Sequence, residues 1–127
     1  MCIRDSSSFE GGIRLTEELL RRKKPFTALM AFDDLTALGA MRALTKAGVK
    51  VPEQCSVTGF DDVAFSSLAS SSLTTVRQPL EAMGSLAVNI IMEGINAGLE
   101  KREWNVVRHK MHPELVIRDS TRAVSGG

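Results

Sequence analysis

The sequence predicts an α/β fold, a Rossmann-like parallel sheet with flanking helices, and three observations predict it. Two apolar runs, residues 26–32 and 55–60, are too short to be typical helices and read as strands. Between them lies a stretch with Leu35, Leu38, Met41 and Leu44 at three-residue steps, so the order is strand, helix, strand, a right-handed βαβ crossover. Each run ends in two aspartates, Asp33-Asp34 and Asp61-Asp62, at the carboxyl edge where open α/β sheets bind ligands.

Each element follows from local chemistry. Ser7-Ser8-Phe9-Glu10 fits a capping box with Ser7 as cap, opening a helix that carries Phe9, Ile13, Thr16 and Leu20 on one face. Gly11 and Gly12 weaken its first turn. The helix ends in Arg21-Arg22-Lys23-Lys24 before Pro25; these cations complement the helix dipole on a solvated face, the reading we prefer to a nucleic-acid patch. Residues 26–32 carry no polar side chain except Thr27, as expected of a strand buried on both faces. Asp34 is the expected N-cap of the next helix and Gly48 its stop.

Residues 63–72 are Ser-rich and aperiodic, hence a loop. Leu73-Thr-Thr-Val-Arg77 is a third, β-branched strand. Pro79, at a first helical position, opens the longest helix, with Met83, Ala87, Ile90, Ile91 and Ile95 along one side and Gly98 at its end. After a polar turn come Trp104, Val106 and Val107, then Leu115-Val116-Ile117 as a last strand; the tail, 123–127, is expected to be disordered.

Composition bounds function. The chain has 127 residues, room for one domain, and its 16 Lys and Arg against 15 Asp and Glu give a net charge of +1, so no global field draws it to nucleic acid or an anionic membrane. No apolar run is expected to span a membrane, and residues 1–8 lack the pattern of a secretory signal, which makes a cytoplasmic location the default. Cys2 and Cys55 read as reduced thiols. His109 and His112, three apart in an extended segment, would face opposite sides and lack further zinc ligands, so neither a metal nor any other cofactor is expected. There is no Gly-x-Ser-x-Gly elbow and no phosphate-cradling glycine loop, hence no catalytic constellation and no expectation of an enzyme. A Mg²⁺-dependent phospho-acceptor domain would use the acidic pairs but needs a Lys and a hydroxyl on later strands, where Arg77 and Gln78 stand at the third strand's exit instead.

Five segments together resemble the LacI/GalR family of bacterial transcription regulators: Phe-Asp-Asp-Leu-Thr-Ala-Leu-Gly at 32–39, Ala-Gly-Val-Lys-Val-Pro at 47–52, Ser-Val-Thr-Gly-Phe-Asp-Asp at 56–62, Leu-Thr-Thr-Val-Arg-Gln-Pro at 73–79 and Pro-Glu-Leu-Val-Ile-Arg-Asp-Ser-Thr at 113–121. The resemblance implies the C-terminal part of an effector-binding and dimerisation domain, a fragment of a type I periplasmic-binding-protein-like fold. Residues 9–78 and 114–121 would form a C-terminal lobe, residues 79–113 a segment of an N-terminal lobe, and residues 1–8 an unmatched leader. The helix-turn-helix headpiece that contacts operator DNA matches nothing here.

Residue by residue, the resemblance implies that Asp61 hydrogen-bonds hydroxyls of a small carbohydrate effector and that Asp33, where Asn is commoner, lines the same cleft. Gln78 and Leu80 would stand at the lobe crossing, and Leu38, Met41, Arg42, Leu68 and Ala69 in a homodimer interface. Ser72 stands where a proline often precedes Leu-Thr-Thr. A periplasmic sugar-binding transport component of the same fold is the alternative. Alone, the chain is expected to be poorly soluble, because Met83, Ile90 and Ile91 would be uncovered.

Overall fold

The computed structural model describes residues 8–68, 71–105 and 108–123. The order of elements is α1 (Phe9–Arg21), β1 (Ala28–Met30), α2 (Asp34–Lys46), β2 (Ser56–Thr58), a 3-10 turn (Ala64–Ser67), β3 (Thr75–Arg77), α3 (Leu80–Leu99) and β4 (Glu114–Val116). The chain divides into two compact units, the first running to Arg77 and resuming at Glu114, the second comprising Gln78–Pro113. The Ser7 cap, Cys2, Ala69, Val106, Val107 and the last four residues of the tail lie outside the described residues.

In the first unit β1 and β2 pair in parallel, with Leu29 opposite Val57, and a parallel bridge from Thr58 to Thr74 brings β3 to the other side of β2. The predicted parallel core is therefore present. The last strand falls at Glu114–Val116 and pairs antiparallel with β3, Val76 opposite Leu115. The register puts Arg77 opposite Glu114, so β4 starts beside the carboxyl end of β3. The core gathers Ala31, Ala37, Met41, Leu44, Cys55, Val57 and Leu73, with Leu20, Phe26, Leu29, Val49 and Val51 packed around it. Burial pushes the Cys55 thiol above its ordinary range.

Four expectations change. Ser8 caps α1, its Oγ accepting from Gly11 N–H at 3.0 Å, one residue later than the capping box suggests. Gly12 is no weakness but a requirement: a Cβ there would come closer than 3.0 Å to the Thr36 carbonyl, and one on Gly39 closer than 3.0 Å to the Phe9 carbonyl. The two helices cross backbone to backbone at these glycines. The first strand is not buried on both faces. Met30 is 87% exposed and Phe32 62%, whereas Leu29 and Ala31 pack into the core with residues of α1 and α2, and among the described residues β1 pairs with β2 alone. Residues 63–72 are not wholly irregular, since 64–67 form the 3-10 turn.

Helix α2 ends as Gly48 predicts. Gly48 takes φ +77°, its N–H donates to the Thr45 carbonyl at 3.0 Å, and Val49 N–H donates to the Leu44 carbonyl at 2.9 Å, which together make a Schellman stop.

In the second unit, α3 begins at Leu80 after Pro79 and runs past Gly98 to Leu99. By length and composition this 20-residue helix could cross a membrane, with a mean hydropathy of 1.2, contrary to the expectation that no such run exists. The same length and composition occur in core helices of soluble domains. Along the predicted stripe Met83, Ile91 and Ile95 are exposed, and among the described helix residues Ala97 alone is buried. Trp104 lies against Gly94, where a Cβ would approach its indole ring to 3.1 Å.

Candidate functional site

The two aspartate pairs follow β1 and β2 at their carboxyl ends, and a backbone hydrogen bond from Asp34 N–H to the Phe60 carbonyl, 2.9 Å, sets the two turns side by side. Each aspartate then has a different use.

Asp33, not Asp34, caps α2. Its backbone is extended, φ −146°, and its Oδ1 accepts from Thr36 N–H at 2.7 Å. Asp34 enters the helix and is fully buried. Its Oδ2 accepts from Val63 N–H at 2.8 Å and from Ser66 Oγ at 2.5 Å, and its Oδ1 from Thr75 Oγ1 at 2.5 Å. One carboxylate thus ties the start of α2 to the 3-10 turn and to β3. Gly59 makes the room for it: a Cβ there would collide with Asp34 Oδ1.

The Asp61-Asp62 turn is left-handed at both residues, with φ +106° and +53°. Asp62 falls within the left-handed helical region that Asp tolerates, whereas Asp61 lies well outside it. The turn is held by Asp61 N–H donating to the Val76 carbonyl at 2.9 Å and by the Asp62 carboxylate, which accepts from Arg118 Nη2 at 2.6 Å and from Arg77 Nε at 2.7 Å. Asp62 and Arg118 are largely enclosed, their side chains 8% and 17% exposed. Burial pushes the Asp62 carboxyl up, but the hydrogen bonds and charges of Arg118 and Arg77 outweigh it and hold the group below the ordinary carboxylate range. Asp61 itself is half-buried.

The closing Arg-Asp-Ser-Thr segment is the residue set that sequence reasoning missed as structure. Arg118 Nη1 donates to the Leu73 carbonyl at 2.9 Å. Ser120 is fully buried between β2 and β3: its Oγ accepts from Thr74 N–H at 2.8 Å and donates to the Val57 carbonyl at 2.6 Å, while its own carbonyl accepts from Val57 N–H at 2.8 Å. The one sequence signal was the block's match to a family ending, which names no partner.

Gln78 and Leu80 open the second unit, where Leu80 is exposed and its N–H donates to the Gln78 carbonyl at 2.9 Å. Of the interface residues, Leu38 is partly buried, and Arg42 and Leu68 are exposed. Met41 is 7% exposed and belongs to the core cluster with Leu44. Among the described residues no group of three or more His, Cys, Asp or Glu side chains is arranged to hold a metal ion. In each acidic pair the second aspartate, Asp34 or Asp62, is engaged by protein donors.

The profile of the periplasmic binding protein-like domain matches residues 2–121, and the chain belongs to that family. Its relatives within it are LacI-type transcriptional regulators. An HTH-type transcriptional repressor PurR of Actinobacillus pleuropneumoniae serotype 3 (strain JL03) is 38% identical over 113 residues, covering 89% of this chain and 33% of the relative. Among solved structures, a LacI family regulator from Enterococcus faecalis V583 with bound ribose superimposes with a TM-score of 0.80 at 31% identity, over 94% of this chain and 42% of that one. A LacI family regulator from Arthrobacter sp. FB24 in complex with lactose gives 0.78 at 30% identity, over 92% and 42%. The chain spans about a third of the length of the curated relatives it matches.

Proposed function

We propose that this chain is the ligand-binding and dimerisation part of a LacI-type regulator that senses a small carbohydrate, with Asp61 as the principal effector ligand. The observation that carries the reading is the Asp61-Asp62 turn: a half-buried carboxylate on strained backbone, at the carboxyl end of a parallel strand, clamped from β3 and from the closing segment. An ionised carboxylate accepts from two neighbouring sugar hydroxyls, and such charge-assisted bonds are about twice as strong as neutral ones. Asp33 stands in the adjacent turn; as a carboxylate in place of the commoner amide, it can only accept. In this reading Gln78 and Leu80 are further effector contacts. The sugars bound to two structural neighbours support a carbohydrate effector.

The role is regulatory rather than catalytic. An effector that contacts one lobe arrangement better than another shifts the population of dimers and with it the spacing of two DNA-reading headpieces on a palindromic operator. Leu38, Arg42 and Leu68, with Ala69, carry the homodimer contact in this reading, and the protein acts in the cytoplasm. The repressor relatives favour a regulator over a periplasmic transport component.

The test is a chimera in which this chain replaces the matching segment of the ribose-bound Enterococcus faecalis regulator, titrated calorimetrically with a panel of pentoses, hexoses and disaccharides. Binding of at least one sugar is expected, with a loss of about 10- to 100-fold on Asp61→Asn. Affinity untouched by Asp61→Asn removes it from the site.

A further inference from the structure

We propose that Arg118 is a positioning residue for the effector: by its pair with Asp62 it holds the Asp61-Asp62 turn in the left-handed geometry that aims the Asp61 carboxylate. The proposal rests on the reading of Asp61 as an effector ligand and adds a residue 57 positions downstream of it to the recognition apparatus.

Two successive non-glycine residues at positive φ do not persist unaided. A backbone as far from the favoured regions as Asp61 is strained and survives only where the surroundings over-determine it. Three restraints do so here: the Asp61 N–H bond to the Val76 carbonyl, and the two arginine contacts to Asp62. The arginines are unequal. Arg77 is 52% exposed and is shared with Glu114, so solvent screens its pair with Asp62 more than that of Arg118. Arg118 is enclosed and is itself fixed at three points: Nη1 on the Leu73 carbonyl, its backbone N–H on Thr74 Oγ1 at 2.9 Å, and Nη2 on Asp62. Its planar fork spans from the Leu73 carbonyl to the Asp62 carboxylate, a geometry a flexible ammonium does not reproduce. Asp62 therefore has a rigid partner, and the residue before it inherits the constraint through one peptide bond.

The experiment has two arms. Amide hydrogen exchange is measured on the 127-residue chain and on Arg118→Met, Arg118→Lys and Arg77→Met. In Arg118→Met the Asp61 amide is expected to exchange faster while the core amide of Ala31, bonded to the Thr58 carbonyl at 2.9 Å, keeps its protection. Arg118→Lys, which retains the charge, recovers part of the Asp61 protection. In the chimera, Arg118→Met lowers sugar affinity by about 10- to 100-fold, the share one misaligned charge-assisted bond carries. Arg77→Met lowers it no more than about fivefold. The double variant Asp62→Asn with Arg118→Met binds no more weakly than Arg118→Met alone. Unchanged Asp61 exchange in Arg118→Met overturns the proposal, as does equal loss of protection at Asp61 and Ala31 in both Arg118 variants. Sugar binding indifferent to Arg118 in a chimera sensitive to Asp61 overturns it as well. A parent chimera that binds no sugar overturns the effector reading instead, and the exchange arm still decides whether Arg118 holds the turn.

Discussion

Replacing Asp34 by Ala removes the acceptor for three donors at once: Val63 N–H and the hydroxyls of Ser66 and Thr75. Ser66 and Thr75 are fully buried, so neither hydroxyl reaches water when its acceptor is gone. A stranded buried donor costs about 1–3 kcal/mol, and Val63, nearer the surface, costs less, for a total of about 3–6 kcal/mol. A loss of ~4 kcal/mol at a denaturant slope of ~2 kcal/mol per molar moves the urea midpoint by ~2 M, a large part of the ~5–15 kcal/mol that holds a domain together. Asp34→Asn keeps the volume and one acceptor oxygen, and its amide N–H can donate to a hydroxyl that rotates to accept, so about 1–2 kcal/mol is expected. Urea unfolding followed by far-ultraviolet circular dichroism separates this account from the capping role the sequence suggests for Asp34. A cap tolerates Asn with almost no loss and loses only about 1 kcal/mol on Ala. An Asp34→Ala midpoint within ~0.5 M of the parent chain refutes the buried-hub argument.

Gly12→Ala forces the crossing of α1 and α2 apart at the Thr36 carbonyl and should cost about 1–3 kcal/mol, although alanine is the better helix former; a Tm equal to or above that of the parent contradicts the close-crossing argument. Asp62 has its folded pKa depressed by Arg118 and Arg77, so its contribution to stability is present above the ordinary carboxylate pKa, ~4, and disappears as pH falls through the lower folded value. Asp62→Asn should accordingly flatten the dependence of unfolding free energy on pH below ~4, measured by urea titration at stepped pH; an unaltered acid limb assigns that dependence to other carboxylates. Cys55, buried and with its thiol pKa raised, should react with a disulfide reagent only as fast as the chain unfolds, and immediate labelling of Cys55 in the folded chain, read by peptide mapping, contradicts its place in the core.

Much of this architecture is legible in the sequence, and the misreadings have physical causes. Strand, helix, strand and the stop at Gly48 follow from short-range patterning, which is local and therefore visible. Local patterning cannot say which of two adjacent aspartates faces water. Asp33 and Asp34 are equally good caps by composition, and the choice is made by Ser66 and Thr75, 32 and 41 residues away. Gly12 looks like a weak helical residue until Gly39 on another helix explains it. The apolar run at 26–32 promises a doubly covered strand because apolarity reports the environment a segment suits, whereas Ala28, Met30 and Phe32 are exposed. At the site, Asp61 is legible through the resemblance and its position at a strand's carboxyl end. Arg118 and Ser120 act through contacts that span the sheet, and nothing in their spacing announces them.

The most direct measurement is a crystal structure of the chimera grown with the sugar it binds most tightly. Electron density for a sugar with two adjacent hydroxyls within about 3 Å of the Asp61 carboxylate, and the Asp62 to Arg118 pair intact behind it, is the predicted result. A sugar bound elsewhere, with Asp61 turned away from it, contradicts the account.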